Sequence, residues 1–423
     1  MWYNFFVILG GYAPVILWED DMTSVKKAFS AAAMALVMMI SGCAGTSSGS
    51  GEQSTDEQIS SITESEATMQ TDMTFTPGAD TVKLIGRTAE SDGILWLALS
   101  ASGIEFTFTG TSASVTIVGD SMTANGKDKQ ARFAVYINGE KTMDEQVTTA
   151  EKTYDIFSSD EAKSTTVKIL KLSEAAESTM GIKSITVNGT DVKPTAEKEL
   201  KIEFIGDSIT CGYGVDDEVK EHHFSTSTED ATKAYAYKAA QLLDADYSLV
   251  SYSGHGIISG YTDNGKKVTA QLVPPVYEQF AKSYGYYNGV FNVSQIEWDF
   301  SKFQPDFVVI NLGTNDASYC GSKKDRIEDY TQNYVEFLKK VRANNADAHI
   351  ICALGVMGDS LYRGVEEAVK LYSEETGDTK VSALHLTPQN GSTGYAADWH
   401  PTEATHDIAA SELVDEIKKL MAE

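Results

Sequence analysis

The chain has 423 residues, too many for one ordinary domain, so two folded units with accessory segments are expected. An apolar fraction of 42% and 20 tyrosines supply enough apolar surface for hydrophobic cores and exclude a disordered protein. A formal net charge of −27 argues against nucleic acid or an anionic membrane surface as the partner.

The N-terminal segment 1–43 carries an export signal. From Met22 the chain has two lysines, an apolar stretch over 28–40, and then small residues and a cysteine. This order is typical of a secretory signal, and the apolar stretch is too short for a membrane-spanning helix. Residues 40–43 resemble the lipobox of bacterial lipoproteins, in which the cysteine is lipidated. We expect translation to begin at Met22 and a lipid at Cys43 to anchor the chain to the extracellular face of a bacterial membrane; an uncleaved signal anchor is the alternative.

The segment 44–72 is rich in Ser, Gly, Thr, Glu and Gln and has few large apolar residues. Such a composition cannot form a core and predicts a flexible tether. Beyond Cys43 the chain has Cys211, Cys320 and Cys352. Three widely spaced thiols predict neither a disulfide framework nor a metal site.

Residues 73–195 predict an antiparallel domain. Short alternating runs rich in β-branched residues are separated by Gly, Asn and Asp turn signals; they lie at 81–88, 94–100, 103–110, 113–119, 132–139, 165–172 and 182–189. Many short strands at close spacing are typical of a β-sandwich of the jelly-roll type. Trp96 and Tyr136 are candidate sugar-stacking side chains, although an aromatic residue within a strand more often belongs to the core.

Residues 199–423 predict an α/β domain. Five apolar runs lie at 201–206, 247–252, 306–313, 348–355 and 381–386. Helical patterns include 231–243, 325–342 and a last helix at 402–421. Apolar strands that alternate with helices predict a parallel sheet covered on both faces, which is a three-layer fold. Ligands of such folds collect beyond the carboxyl ends of the strands.

Two candidate catalytic side chains follow from local geometry. Ser208 comes directly after the run 201–206, and a serine at a tight strand-to-helix turn projects its hydroxyl as a nucleophile requires. Alone, this pattern is also typical of a turn with a helix cap. His400 precedes a proline, which favours extended backbone, so the Asp398 carboxylate is expected on the same side and within reach of Nδ1. His406 is a weaker candidate because it falls within the last helix.

Two further loops follow predicted strands and carry hydrogen-bond donors. The segment 251–256 (SYSGHG), here called the glycine loop, allows the backbone amide of Gly256 or Gly254 to approach a developing oxyanion. His255 also lies in this loop, without an evident orienting partner. Asn315, in GTND after the strand at 306–313, supplies a side-chain N–H donor for the same purpose.

The four segments GDSIT, SYSGHG, GTND and DWHP, in this order, resemble the blocks of the SGNH, or GDSL, hydrolase superfamily. The preceding β-sandwich, the stretch 206–215 and the DWHP form resemble carbohydrate esterase family 2, whose members are acetyl esterases of polysaccharides such as xylan and glucomannan. The resemblance implies a flavodoxin-like sheet and a serine esterase that removes O-acetyl groups by two-step acyl transfer. It implies no metal and no organic cofactor.

The resemblance also assigns roles to individual residues. The implied nucleophile is Ser208 and the implied general base is His400, with Asp398 as the third triad member. The implied oxyanion hole consists of Ser208, Gly256 and Asn315. Two alternatives stay open. The usual acid position, three residues before the histidine, is Ala397, so a backbone carbonyl is the other candidate to orient His400, and Gly254 is the other candidate for the hole.

Other functions also fit the sequence. Within ester hydrolysis, the substrate could be a lipid, a thioester or an acetylated cell-surface glycan. From a different class, the chain could be a non-catalytic glycan-binding lipoprotein. In that case the β-sandwich binds sugar and the hydrolase domain is inactive. A third alternative concerns the β-sandwich of an active enzyme, which is either a structural cap that completes the catalytic cleft or a detachable binding module.

Overall fold

The structure, a computed structural model, describes residues 72–422. The expected export signal, Cys43 and residues 44–71 of the expected tether lie outside the described residues. Two sheets organise the described chain, an antiparallel one that ends at Pro194 and a parallel one that begins at Lys201. The change of sheet type falls between the domains expected at 73–195 and 199–423.

The first sheet has nine strands within residues 72–422, and its strand pairs are antiparallel. The strands are β1 (Asp72–Phe75), β2 (Lys83–Ile85), β3 (Thr88–Ser91), β4 (Ile94–Leu97), β5 (Gly103–Gly119), β6 (Arg132–Ile137), β7 (Glu140–Gln146), β8 (Glu151–Lys171) and β9 (Met180–Pro194). They follow the order β3-β4-β9-β5-β8-β6-β7, with β1 paired to β9 and β2 to β5.

The long strand β5 joins two runs that the sequence predicts as separate strands. Buried positions alternate along it, and Phe106, Phe108 and Val115 contribute to an apolar core with residues of β8 and β9. The register shifts between Gly110 and Ser112, which marks a bulge. Because a bulge bends a strand without ending its pairing, the chain continues through the break between the predicted runs.

Sequence patterns miss β1 and β7, most of β3 and the first half of β8, and they leave two aromatic residues open. Strand β7 reads EKTMDEQ and has no buried position, so it lacks the apolar alternation that marks a strand. Trp96 is 1% exposed and packs against Tyr287 with ring centroids 5.0 Å apart. Tyr136 is half-buried and packs against the apolar cluster around Phe204. The core interpretation of Trp96 is therefore confirmed.

The second sheet is parallel and has five strands within the described residues. They are β10 (Lys201–Gly206), β11 (Asp246–Ser251), β12 (Phe307–Asn311), β13 (His349–Leu354) and β14 (Val381–His385). The order β11-β10-β12-β13-β14 is the flavodoxin-like arrangement. Each strand lies within one or two residues of a predicted run.

Helices cover both faces of the parallel sheet. They are α1 (Ser208–Cys211), α2 (Tyr235–Leu242), α3 (Thr314–Cys320), α4 (Lys324–Asn344), α5 (Tyr362–Thr376) and α6 (Glu403–Met421). Short 3-10 helices lie at Ser121–Ala124, Ala231–Lys233, Val293–Gln295, Phe300–Lys302 and Ala397–Trp399. Along β12, Val308 and Ile310 belong to the core with α4 and α5, whereas Val309 belongs to the core with α2 and α6. The predicted three-layer architecture is confirmed.

One predicted helix is split. The pattern at 231–243 predicts a continuous helix, but a 3-10 turn over Ala231–Lys233 precedes α2. Ala234 between them has extended backbone, with φ −76° and ψ 153°. No helix among residues 72–422 is long and apolar enough to cross a membrane.

The two domains share a buried interface. Arg87 of the β-sandwich is fully buried, and its guanidinium donates to Tyr277 O at 2.6 Å and to Glu203 Oε2 at 3.1 Å. Trp96 lies in the same apolar cluster as Val250 of β11. Since breaking a buried ion pair is strongly destabilising, this interface argues against a detachable module.

Candidate active site

The strand-to-helix turn at the end of β10 holds Ser208. Asp207 caps α1, with its Oδ1 accepting the Ile209 N–H at 3.1 Å. Gly206 is required there because a Cβ atom would lie 2.0 Å from Thr210 Oγ1. The turn therefore carries Ser208 at the carboxyl edge of the sheet, where the side chain keeps 6% of its surface exposed.

The structure brings Ser208 and His400 together. The Ser208 hydroxyl lies 2.9 Å from His400 Nε2. His400 Nδ1 lies 3.1 Å from the carbonyl oxygen of Ala397, and because a carbonyl only accepts, Nδ1 carries the proton and Nε2 accepts from Ser208. Burial lowers the pKa of His400 to about 4, although the Ala397 carbonyl opposes this effect. The imidazole is thus neutral near pH 7 and able to take a proton from Ser208.

Asp398 does not contact His400 Nδ1, so the expected carboxylate partner is wrong, and the alternative that the sequence leaves open, a backbone carbonyl, orients the ring. The expectation assumed extended backbone, but Asp398 has φ 49° and Trp399 has φ 63°, both left-handed. This turn directs the Ala397 carbonyl to the imidazole and sends the Asp398 side chain elsewhere. The Asp398 carboxylate accepts hydrogen bonds from Tyr213 Oη at 2.5 Å and from the Phe224 N–H at 3.1 Å.

Tyr213 links Asp398 to His400 indirectly. Its ring stacks on the imidazole, with centroids 3.8 Å apart and an interplanar angle of 15°. Partial burial raises the pKa of Asp398, but hydrogen bonds from Tyr213 and His223 outweigh it, and the pKa lies below its usual range. An ionised Asp398 therefore holds the tyrosine that covers one face of the His400 ring.

Asn315 lies between the serine turn and the glycine loop. It is 6% exposed, and its Nδ2 donates to His255 O at 2.9 Å and to Asp207 Oδ2 at 3.2 Å. Burial raises the pKa of Asp207 to about 7, and the nearby Asp316 carboxylate adds to the effect. The Asn315 carboxamide is therefore fixed beside the residue that precedes Ser208.

Asp316 organises the chain that leaves the glycine loop. Its carboxylate accepts the N–H groups of Ile257, Ile258 and Ser259 at 2.7–3.1 Å. Burial raises the pKa of this carboxyl to about 6, although the three backbone N–H groups oppose the rise. Asn315 and Asp316, which follow β12, thus hold the glycine loop and the residues that come directly after it.

Gly256 does not offer its amide to the site. Its N–H donates to Gln271 O at 3.2 Å, and a Cβ there would lie 2.4 Å from Asp316 Oδ2, so close packing explains this glycine. Gly254 has φ +74°, and no acceptor among residues 72–422 takes its N–H. Of the two glycines that the sequence leaves open, Gly254 is thus the one whose N–H remains available to a ligand.

His255 and His406 have structural partners. His255 Nδ1 donates to Ser253 O at 2.9 Å, and Lys282 Nζ lies 3.0 Å from Nε2, so the sequence-based view of an unpartnered ring is wrong. Burial lowers the pKa of His255 to about 4. His406 is fully buried, and its Nδ1 accepts the Tyr235 N–H at 3.2 Å. Neither ring is hydrogen-bonded to Ser208.

Comparisons with known proteins match this architecture. Residues 84–195 match the carbohydrate esterase 2 N-terminal domain, and residues 204–408 match the GDSL-like lipase/acylhydrolase family. A solved family two carbohydrate esterase from Clostridium thermocellum in complex with cellohexaose is 31% identical, with a TM-score of 0.69; the match covers 81% of this chain and 99% of that one. The chain belongs to carbohydrate esterase family 2.

Two curated relatives show how far this family membership extends. The cellulase/esterase CelE of Acetivibrio thermocellus is 32% identical over 326 residues, which are 76% of this chain but only 37% of CelE. An acetylxylan esterase / glucomannan deacetylase of Cellvibrio japonicus is 25% identical over 369 residues, 86% of this chain and 95% of that protein. As a family 2 carbohydrate esterase, the chain is a carboxylic ester hydrolase.

Sequence reasoning misses the supports around the nucleophile and base of this family 2 site. Tyr213 lies within the quoted stretch 206–215, five residues after Ser208, but its stacking on His400 depends on a contact across the fold. Asp207 and Asp316 sit inside the recognised blocks, and their roles follow only from the backbone N–H groups that they accept. Lys282 carries no sequence signal at all, because it reaches His255 from a distant loop.

Proposed function

We propose that the chain is a serine esterase that removes O-acetyl groups from a polysaccharide of the xylan or glucomannan class, with Ser208 as nucleophile and His400 as general base. The observation that carries this assignment is the 2.9 Å contact between Ser208 Oγ and His400 Nε2. The hydroxyl faces a neutral imidazole whose tautomer is fixed by the Ala397 carbonyl, which is the arrangement that nucleophilic catalysis requires.

Acylation proceeds in two proton transfers. His400 Nε2 takes the Ser208 proton while Oγ attacks the acetyl carbonyl carbon, and the carbonyl oxygen becomes an oxyanion. Collapse breaks the bond to the sugar oxygen, which receives the proton from Nε2 and leaves as an alcohol. Water then attacks the acetyl-serine with His400 again as base, releasing acetate and restoring the Ser208 hydroxyl.

Three N–H groups are proposed to hold the oxyanion: the Ser208 amide, the Gly254 amide and Asn315 Nδ2. The first two have no acceptor among residues 72–422, so they are available to a ligand. Asn315 donates to Asp207 at 3.2 Å, the longer of its two contacts, and the oxyanion replaces that weaker bond. Donors aimed at developing charge in a buried site are often the largest catalytic term.

The proposed substrate class rests on the relatives and on the surface beside His400. The curated relative from Cellvibrio japonicus bears the name acetylxylan esterase / glucomannan deacetylase. Trp399, the neighbour of His400, is 50% exposed and packs against Tyr395 with centroids 5.2 Å apart. Exposed aromatic rings offer flat apolar faces that suit the faces of pyranose sugars, whereas a lipase site requires a continuous apolar groove for the acyl chain.

Acetate release from acetylated xylan, glucomannan and peptidoglycan tests the substrate assignment, with p-nitrophenyl esters of increasing acyl length alongside. We expect release from xylan or glucomannan and a steep loss of turnover beyond the acetyl ester. Turnover of long-chain esters in preference to acetyl would favour a lipase. Binding of the polysaccharides without any ester turnover would favour the non-catalytic glycan-binding alternative.

We also propose that Cys43 is lipidated and tethers the enzyme to the extracellular face of a bacterial membrane. Support comes from the order of lysines, apolar stretch and small residues before Cys43. In cells fed a labelled fatty acid, the protein should take up label and sediment with membranes. A Cys43→Ser variant should lose the label, and equal labelling of this variant would refute the anchor.

A further inference from the structure

The β-sandwich reaches the glycine loop through a buried carboxylate. Glu174 lies in the connection between β8 and β9 and is 1% exposed. Its Oε2 accepts the backbone N–H of Ser253 at 2.8 Å. Ser253 directly precedes Gly254, whose amide belongs to the proposed oxyanion hole. The N-terminal domain thus contacts the active-site loop one residue before a proposed catalytic donor.

We propose that Glu174 is a positioning residue for ester hydrolysis, which fixes the direction of the Gly254 N–H by holding the preceding peptide; this inference rests on the proposed function. Ser253 is held at both ends, since its N–H donates to Glu174 and its carbonyl accepts from His255 Nδ1 at 2.9 Å. In a trans peptide the carbonyl and the next N–H point in opposite directions. Fixing Ser253 therefore aims the Gly254 N–H away from His255 Nδ1.

Glu174 is itself rigidly held, as a positioning role requires. Its N–H donates to Glu229 Oε2 at 2.8 Å, and its carbonyl accepts from Lys171 Nζ at 2.8 Å. Lys171 and Glu229 are both fully buried. The carboxylate consequently projects from a backbone segment that neighbouring side chains fix on two sides.

Stability alone does not explain this cluster. Burial raises the pKa of Glu174 and lowers that of Lys171, so the charged form of each is disfavoured inside the protein. Apolar residues of similar volume are often as stabilising as buried charged groups, or more so. The geometry given to Ser253 and Gly254 is a function that an apolar residue at position 174 could not supply.

A pair of neutral, similarly shaped variants isolates the hydrogen bond. Glu174→Gln keeps an oxygen that accepts the Ser253 N–H, whereas Glu174→Met fills the space without one. We expect Glu174→Met to lower kcat for p-nitrophenyl acetate about tenfold or more, since small misplacements of catalytic groups are costly, with KM changed less than threefold. Glu174→Gln should stay within about threefold of wild-type kcat. Glu174→Asp, which keeps the charge but withdraws the carboxylate, should fall with Glu174→Met.

Lys83→Met is the matched control within the β-sandwich. Lys83 is also buried, and its Nζ donates to Asp246 Oδ1 at 2.5 Å, but Asp246 begins β11, whereas the glycine loop lies at the other end of that strand. Rates are expressed per folded molecule, measured by near-ultraviolet circular dichroism. The control should keep wild-type kcat per folded molecule even if its melting temperature falls.

Wild-type kcat in folded Glu174→Met, or in Glu174→Asp if the Met variant does not fold, would overturn the inference. An equal loss in Lys83→Met would do so as well, because it would reveal a general effect of domain destabilisation. Failure of the proposed function looks different: the wild-type enzyme itself would neither hydrolyse the ester nor react with an organophosphonate at Ser208.

Discussion

His400 Nδ1 donates to the carbonyl oxygen of Ala397, 3.1 Å away, and the acid of the expected triad is thereby replaced by a backbone group. Left-handed backbone at Asp398 and Trp399 makes this contact possible. A carbonyl fixes the tautomer and direction of the imidazole as a carboxylate does, but it adds no full charge. The proposed catalytic machinery is therefore a Ser–His dyad with a backbone support.

Replacing Asp398 should accordingly have a small effect. We expect Asp398→Ala to lower kcat about three- to tenfold, through looser stacking of Tyr213 on His400, compared with roughly 10⁴-fold for loss of the carboxylate in a Ser–His–Asp triad. Steady-state kinetics on p-nitrophenyl acetate measure this difference. A loss of a thousandfold or more in folded Asp398→Ala would restore the carboxylate to the triad.

The acid limb of the pH profile should lie well below that of an ordinary histidine. Catalysis needs neutral His400, and its folded pKa of about 4 means that the proton binds only in strongly acidic solution. As pH falls, kcat/KM should therefore hold through pH 6.5 and decline only toward pH 4. A profile of kcat/KM against pH reports this pKa in the free enzyme. Half-maximal activity near pH 6.5 would contradict the buried, neutral imidazole.

Loss of the Asn315 carboxamide should remove one oxyanion donor. We expect Asn315→Ala to lower kcat by about 10²- to 10³-fold, the usual effect of removing such a donor. Part of this loss in kcat comes from the glycine loop, because Asn315 Nδ2 also donates to the His255 carbonyl at 2.9 Å. An Asn315→Asp variant keeps the shape without the N–H donors and should be equally impaired. A kcat near that of the wild type in both variants would show that Asn315 does not belong to the oxyanion hole.

Trp399 should act on the polysaccharide and not on the chemical step. Its half-exposed ring lies 4.1 Å from Lys220 Nζ, so it is held at the surface beside His400. For Trp399→Ala we expect kcat/KM on acetylated xylan or glucomannan to fall about five- to tenfold, in line with ~1 kcal/mol for an aromatic contact. Turnover of p-nitrophenyl acetate serves as the control and should change little. Equal losses of kcat/KM on both substrates would show that Trp399 instead supports the turn that positions His400.

The sequence predicts the fold and the reacting pair because both depend on local patterns. Apolar runs mark β10 to β14. A serine directly after the first of these strands lies at the carboxyl edge of the sheet, and this placement depends only on the local sequence. His400 itself is extended, as Pro401 predicts, but Asp398 and Trp399 before it adopt positive φ, and the spacing of Asp398 and His400 does not reveal this turn. The pattern thus finds His400, and only the structure decides between a carboxylate and a backbone carbonyl as its partner.

Long-range contacts account for the other differences. Gly256 and Gly254 look equivalent in the sequence, and contacts such as the bond from the Gly256 N–H to Gln271 distinguish them. Glu174 and Arg87 belong to a different domain from the residues that they hold, so no motif spacing joins them to the site. Side chains that position a loop from outside its own segment leave no periodic signal.

Trapping the acetyl-enzyme tests the central assignment most directly. Wild-type protein and Ser208→Ala are mixed with acetylated glucomannan or xylan, quenched in acid, and examined by peptide mass spectrometry together with acetate release. We expect an acetyl group on the wild-type peptide that contains Ser208, and neither adduct nor catalysed acetate release in Ser208→Ala. Acetate release by folded Ser208→Ala at a rate near that of the wild type would contradict this assignment.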